Sequence, residues 1–350
     1  MKIAITGATG FLGSHCVSKA LEKGHSVRIL VRNIEKAKIA LEMHGLNEES
    51  VEVVQADLED DQSLDDGLLG VEALLHTAAI FSLSPLDAKS MITINPSSTK
   101  TLLSAAVKHD LKQTVYVSTM GVFAPITGGD IDENTPTATG LGPYTKSKIE
   151  SEKIARQFQK DGAPVNIVYP GGIFGPTDPN PNLSDSMGML TEILKRNIGL
   201  TAKDAKLAMV DVRDVAEVCV GAMNTNSKNA RYHAWGELVT MDEVIELVKK
   251  ITGRNIRFYS TPLFLLDALG LFGEIFTLST RIRLPFAKES MRMFTQNARV
   301  NGPGNIDQSL ANREFGFQSI SLEESLTDAL KWLHQAGHLS SKQSGKLANI

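Results

Sequence analysis

Tyr144 and Lys148 stand four residues apart in GPYTKSKIESEKIARQF. On a helix beginning at Pro143 the two share one face. A phenol with a pKa of about 10 is a weak base at neutral pH, and an adjacent ammonium lowers that value by favouring the phenolate. Upstream, the apolar run QTVYVS ends at Ser118 and is followed by the hydroxyl of Thr119. Phenol, ammonium and hydroxyl together can move a proton to or from a carbonyl oxygen and hold that oxygen in place. This chemistry calls for no metal ion, but it does call for a partner that carries hydride.

The opening stretch, MKIAITGATGFLGSHCVSKALEKG, offers a seat for such a partner. Lys2 to Thr6 reads as a short buried strand, and apolar spacing typical of a helix starts at Phe11. Between them lie Gly7, Thr9 and Gly10, with Leu12 and Gly13 in the first helical turn. Glycines allow a sharp turn and a close approach of a pyrophosphate to the backbone, and the helix start presents unpaired amides to the anion. Gly13 would let the helix pack tightly on the strand. A Gly-rich turn alone is a weak signal, but strand before and helix after at the head of a domain are the context a dinucleotide site needs.

Three further places would line that site. Arg32 follows the run SVRILV, with Asn33 beside it. An acidic residue near this position accepts from the ribose hydroxyl of NAD, whereas an arginine accommodates the extra phosphate of NADP. The expected cofactor is therefore NADP, with NAD as the alternative if Arg32 is an ordinary surface residue. Asp57 and Leu58 follow VEVVQ, and HTAA, with Thr77, Ala78 and Ala79, follows VEALL. Asp57 reads either as a contact to the adenine amino group or as a helix cap.

The elements that must position these residues alternate along the chain. KIAIT, SVRILV, VEVVQ, VEALLH, QTVYVS and PVNIVY are each followed by turn residues and helix-length patterning. This alternation predicts an α/β fold, a Rossmann-type doubly wound parallel sheet with helices on both faces. After Pro176 the pattern shifts to helices with short strands such as AMVDV and IRFYS. Residues 1–176 are thus expected to form mainly the NADP-binding domain. Residues 177–338 are expected to form mainly a smaller substrate lobe with some elements returning to the first, and 339–350 a flexible tail.

Composition narrows the partners. The chain has 350 residues, 36 basic and 40 acidic, and a net charge of −4, which gives no reason to invoke nucleic acid. Cys16 and Cys219 lack any paired spacing, so neither a disulfide framework nor a metal site is expected, and a cytoplasmic location fits. No secretory leader is read at the start. PLFLLDALGLFGEIFTLST, residues 262–280, approaches the length of a membrane span but carries Asp267 and Glu274. It reads as an amphipathic helix: a substrate lid, a membrane-surface contact or plain core.

TGATGFLG, Asp57-Leu58, HTAA, Thr119, YTKSK and YPGGIFGP together resemble the extended short-chain dehydrogenase/reductase family. That family spans nucleotide-sugar epimerases and dehydratases, dihydroflavonol 4-reductase-like enzymes and 3β-hydroxysteroid dehydrogenases. The resemblance covers Met1 to about Asp214 and implies Thr119, Tyr144 and Lys148 as catalytic residues, with Tyr144 and Lys148 also touching the cofactor. It also implies a place beside the nicotinamide for Tyr169, Pro170, Gly172 and Ile173. Two departures stand out: threonine replaces the commoner serine at 119, and Tyr169 stands where arginine is common. DVRDVAEV resembles a second-lobe segment in which Asp211 and Asp214 shape the site or cap a helix.

Sugar-nucleotide dehydratases carry an acidic pair after the threonine, and here Met120 and Gly121 follow instead. The Leu- and Phe-rich segment 262–272 and Arg32 favour the dihydroflavonol-reductase and hydroxysteroid branch. The expected activity is an NADP(H)-dependent interconversion of a ketone or aldehyde with an alcohol, on a small to medium, partly apolar substrate. A nucleotide-sugar epimerase is the alternative, with Arg231, Arg281, Arg283 and Arg292 as candidates to bind a diphosphate. A non-catalytic dinucleotide sensor is a further one. The expected partner is a small carbonyl or alcohol compound, and a homodimer is compatible with the sequence.

Overall fold

Residues 1–202, 205–284, 287–300 and 302–349 are described by a computed structural model. The first half alternates strand and helix: β1 (Lys2–Thr6), α1 (Phe11–Glu22), β2 (Ser26–Val31), α2 (Ile34–Glu42), β3 (Glu52–Gln55), α3 (Asp61–Gly67) and β4 (Ala73–His76). It continues through α4 (Ala88–Lys108), β5 (Gln113–Val117), α5 (Pro143–Lys160) and β6 (Val165–Pro170). β4, β5 and β6 are buried along their whole length, as apolar strands covered on both faces must be.

The second half runs β7 (Gly172–Phe174), α6 (Asp185–Arg196), β8 (Ile198–Thr201), β9 (Lys206–Asp211), α7 (Val212–Asn224), β10 (Arg231–Ala234) and β11 (Glu237–Thr240). Then come α8 (Met241–Thr252), β12 (Arg257–Ser260), α9 (Leu263–Thr280), α10 (Lys288–Arg299), α11 (Ser309–Phe315), α12 (Leu322–Gln335) and α13 (Ser341–Ser344). Local chemistry sets several starts. Asn33 caps α2, Asp60 caps α3, and Thr240 with Glu243 forms a capping box on α8.

Seven strands form one parallel sheet in the order β10-β6-β5-β4-β1-β2-β3. The direction of winding reverses between β1 and β4, which opens a crevice at the carboxyl ends of these two strands. The chain does not divide cleanly at Pro176. β10 returns to pair with β6, and α7 packs on α1, so that Cys16, Val17 and Ala20 share a core with Val215, Ala216 and Cys219. A second core joins α6, α8 and α12, beside small sheets of order β11-β9-β7 and β12-β8.

One expectation is corrected here. The tail is packed rather than loose: residues 341–349 form α13 and a 3-10 turn, with Ser344 and Leu347 buried against the second core. Arg254 also holds the Gln343 carbonyl at 2.8 Å. The sequence hides this because two leucines eight residues apart, Leu339 and Leu347, and a few hydrogen bonds do the anchoring, which leaves no apolar stripe to read. Ile350 lies outside the described residues.

Candidate active site

The glycine turn sits at the crevice. Gly7 has a φ of +79°, and a β-carbon there would lie 2.4 Å from Thr77 Oγ1 and 2.9 Å from the Ala78 amide. Only glycine meets both demands. A β-carbon on Gly13 would fall 2.0 Å from the Gly7 carbonyl, so helix and turn touch without room for a methyl group. Gly10 is the N-cap of α1, contributes no side-chain cap, and the first turn carries no acid. The start of α1 is therefore electropositive, as a pyrophosphate requires.

Across the crevice, the segment after β4 is tied to the end of β1. Thr77 Oγ1 donates to the Thr6 carbonyl at 2.7 Å, and the Ala78 amide donates to Thr6 Oγ1 at 3.2 Å. His76 Nδ1 lies 2.8 Å from the same Thr6 hydroxyl. Burial, with the Lys148 charge beside it, draws this imidazole down to about 3 and keeps it neutral. Thr9 and Ala79 are half-buried at the rim, Phe11 packs edge-on to His15, and Leu12 leans on the main core.

Arg32 follows β2 directly and is exposed; among the described residues it makes no ion pair. Its guanidinium thus remains available to an anion. Asp57 does not cap α3, because Asp60 holds the Gln62 and Ser63 amides. Asp57 instead accepts from the Glu59 amide at 3.1 Å through one carboxylate oxygen, while Leu58 packs on the core under α3 and α4.

Thr119, just past β5, and Tyr144, in the first turn of α5, come together. The Thr119 hydroxyl accepts from the Gly121 amide at 3.2 Å and stands near the Tyr144 phenol, whose ionisation it eases. The phenol ring meets Phe81 edge-on at 4.6 Å. Burial pushes this phenol up to about 12, with the Thr119 contact pulling the other way. Lys148 is buried one turn along; its ammonium donates to the Val117 carbonyl at 2.8 Å and stands 4.6 Å above the Tyr116 ring. Burial draws it down to about 8, opposed by Glu152. The expected lowering of the phenol by the lysine is thus not found: Lys148 points to the end of β5, and desolvation dominates at Tyr144.

Tyr169 is placed differently from the expectation as well. Its side chain is fully buried on the side of α5, where Oη donates to Glu152 at 2.5 Å and accepts from Arg156 at 3.1 Å. Its ring stacks on His233 at 5.0 Å. Where an arginine on the strand would pair directly, here Arg156 pairs with Glu152 at 2.8 Å and the tyrosine bridges them. Only backbone at this position is left for a cofactor. Gly171 and Gly172 are pressed against the carbonyls of Trp235 and Ala208, Pro170 ends β6, and Ile173 packs on the main core.

Two positioning residues escaped sequence reasoning. Asn95, buried on α4, receives the Ile80 amide at 2.8 Å and donates to the Ile80 carbonyl at 3.0 Å and to Ser147 at 3.1 Å. It fixes the loop after β4 to the helix of Tyr144 and Lys148. Glu289, buried at the start of α10, accepts from the Tyr144 and Thr145 amides. A buried asparagine or glutamate leaves no local spacing pattern, so neither is visible before the fold is known.

Asp211 caps α7 through the Arg213 amide at 2.8 Å and pairs with the Arg213 guanidinium, while Asp214 receives the Ile320 amide at 3.0 Å. Of the arginines considered for a diphosphate, Arg292 reaches the Leu141 carbonyl at 3.4 Å, just before α5. Arg231 is engaged by Gln159 and the Glu133 carbonyl, Arg283 by Asp87, and Arg281 ends α9.

Residues 3–235 match the NAD dependent epimerase/dehydratase family. The chain is 28% identical over 341 residues to sterol demethylase protein B of Methylococcus capsulatus, covering 96% of this chain and 99% of that protein. It is 25% identical over 348 residues to the 4-hydroxy-2-methyl-3-oxo-4-farnesyl-3,4-dihydroquinoline-1-oxide ketoreductase of Stigmatella aurantiaca, covering 96% and 98%. Its fold is similar to UDP-glucuronic acid 4-epimerase from Bacillus cereus in complex with UDP-glucuronic acid and NAD. The TM-score is 0.74 at 19% identity, covering 96% of this chain and all of that one.

Proposed function

The chain belongs to the NAD-dependent epimerase/dehydratase family and is an NAD(P)-dependent enzyme, and from that premise we propose that it is an NADP(H)-dependent reductase of a ketone or aldehyde. The observation that carries the reading is the grouping of Thr119 just past β5 with Tyr144 and Lys148 of α5, the Lys148 ammonium held on the end of β5, with Met120 and Gly121 where a dehydratase needs acids. A relative named as a ketoreductase, whose substrate name includes a farnesyl chain, supports a partly apolar substrate.

The residues act as follows. A bound nicotinamide supplies or takes the hydride at the reacting carbon. Thr119 Oγ1 uses a lone pair on the Gly121 amide, so its own O–H is free to donate to the substrate oxygen. Tyr144, whose phenol is protonated at neutral pH, gives its proton to that oxygen and regains one from solvent. Lys148 presents a positive charge at the end of β5, where it would hold the ribose hydroxyls of a bound cofactor. Arg32, exposed beyond β2, is the proposed partner of the extra phosphate of NADP.

Arg231 and Arg283 are already engaged by protein groups, which favours the reductase over the nucleotide-sugar epimerase. The test is NADPH consumption against a panel of ketones, aldehydes and nucleotide sugars. Stoichiometric NADPH oxidation with a carbonyl compound is expected. Interconversion of nucleotide sugars with no net cofactor turnover, and no reaction with carbonyls, would overturn the proposal.

A further inference from the structure

α9 inverts the usual arrangement of a surface helix. Such a helix turns an apolar stripe to the core and polar side chains to water. Here Leu266, Gly270, Gly273 and Thr277 form the inner stripe, and the outer one is larger and more apolar. Phe264 is 69% exposed, Phe272 58%, Ile275 57% and Leu271 48%. The helix has a mean hydropathy of 1.5, and 22% of its residues are buried, so it is neither a core helix nor an ordinary solvated one.

The band extends beyond the helix. β8 and β12 pair Leu200 with Tyr259, both about half exposed, and β12 runs straight into the start of α9. Ala202, just after β8, packs against Leu266, which holds strand pair and helix together.

Charge around the band is one-sided. The two acids of α9 are turned to α10, where Asp267 pairs with Arg299 at 2.5 Å and Glu274 with Lys288 at 2.7 Å. No carboxylate of the helix is left to face outward. Cations stand at both ends: Lys195 and Arg257 beside β8 and β12, and Arg281 after the last turn of α9. All three are exposed and unpaired among the described residues, whereas Arg196 and Arg283 are engaged by Glu192 and Asp87.

We propose that this face lies on an anionic lipid bilayer, with α9 parallel to the surface and its Phe, Leu and Ile side chains at the level of the acyl chains. An apolar band bracketed by cations matches headgroup phosphates above an apolar layer. A second copy of the chain matches it poorly. Two-fold pairing of α9, parallel or antiparallel, sets cationic ends against cationic ends with no acid between them. A full span is also excluded by the packing and ion pairs of the inner face. The inference concerns attachment and stands whichever carbonyl compound is reduced.

The experiment is flotation of the full chain with vesicles of phosphatidylcholine alone or with about one third phosphatidylglycerol, at low and high salt. Binding to the anionic vesicles at least tenfold above the neutral ones is expected, weakening as salt rises. Phe264→Ser/Phe272→Ser/Ile275→Ser should lose at least tenfold of that binding, and Arg257→Glu/Arg281→Glu should lose the preference for anionic lipid. F272W gives a readout that does not rely on the triple variant folding: its emission should shift to the blue with vesicles. The proposal is overturned by unchanged F272W emission, by a wild type that does not float, or by a folded triple variant that floats like wild type. A wild-type dimer that the triple variant dissociates, without vesicle binding, would assign the face to a second copy instead.

Discussion

Glu289 accepts the amide protons of Tyr144 at 3.0 Å and Thr145 at 2.8 Å, and the Thr145 hydroxyl at 2.8 Å. A carboxylate from the second lobe thereby serves as the cap of α5, where its charge meets the positive end of the helix. The N-cap position itself is Gly142, and a β-carbon there would lie 2.5 Å from the Glu289 carboxylate. The glycine makes room for the distant cap.

Removing that carboxylate should loosen the helix turn that carries Tyr144. Glu289→Ala is expected to cost about 1–3 kcal/mol of stability, the range for leaving buried donors unpaired. Turnover should fall while cofactor affinity changes little, with Glu289→Gln intermediate. Denaturant melts, cofactor titration and kcat on one preparation check all three. Turnover unchanged in a destabilised Glu289→Ala protein would show that the cap serves stability alone.

Tyr144→Phe tests proton transfer. Loss of about 10²–10⁴ in turnover is expected, the usual span for a general acid. The dissociation constant for NADPH should stay within a fewfold of wild type. A folded variant with wild-type turnover would remove Tyr144 from the mechanism.

Lys148 carries a pH signature. Its ordinary value is 10.5 and burial brings it to about 8, so the folded protein bears a penalty for the charged form. The penalty is complete below about pH 8 and fades as pH rises toward 10.5, because the unfolded chain then also loses the proton. Lys148→Met should therefore raise stability at pH 7 by about 2 kcal/mol, after allowing for the lost Val117 contact. At pH 10 the gain should be nearly gone. Urea melts at the two pH values measure it, and cofactor binding should weaken at both.

Arg32 tests the choice of cofactor. NADPH is expected to bind more tightly than NADH, and a charge-assisted bond of about 1.5–3 kcal/mol corresponds to roughly ten- to hundredfold. Arg32→Asp should reverse the order, and higher salt should narrow the gap. Dissociation constants for both cofactors at two ionic strengths decide it. Equal ratios in wild type and variant would reduce Arg32 to a surface residue.

Gly13→Ala should abolish binding of either cofactor or unfold the domain, since its methyl group would sit 2.0 Å from the Gly7 carbonyl. Circular dichroism separates the two outcomes, and both differ from the full cofactor binding expected if the contact relaxed without cost.

What could be read before the fold was known follows from how local each signal is. The glycine turn was legible because the positive φ at Gly7 and the clearance at Gly13 are fixed within a few residues of β1 and α1, whereas the clearance at Gly7 is set by the distant Thr77 and Ala78. Six of the sheet's seven strands, β1 to β6, were legible for the same reason, since each is a short run of its own, whereas β10, RYHA, carries no such signal. Glu289 was not, because it reaches α5 across 145 residues and no spacing rule spans that distance. Tyr169 shows the intermediate case. Its place at the end of β6 was readable, but the direction of its side chain depends on Glu152 and Arg156 of a neighbouring helix.

The contact of α1 with α7 has a consequence during synthesis. α1 ends at Glu22 and α7 begins at Val212, so the face bearing Cys16, Val17 and Ala20 leaves the ribosome long before its cover does. At about 5–20 residues per second, roughly 10–40 s separate the two. For that interval α1 presents a bare apolar stripe to water or to any chaperone that meets it. The part of the molecule that is read first in the sequence is therefore among the last to be finished.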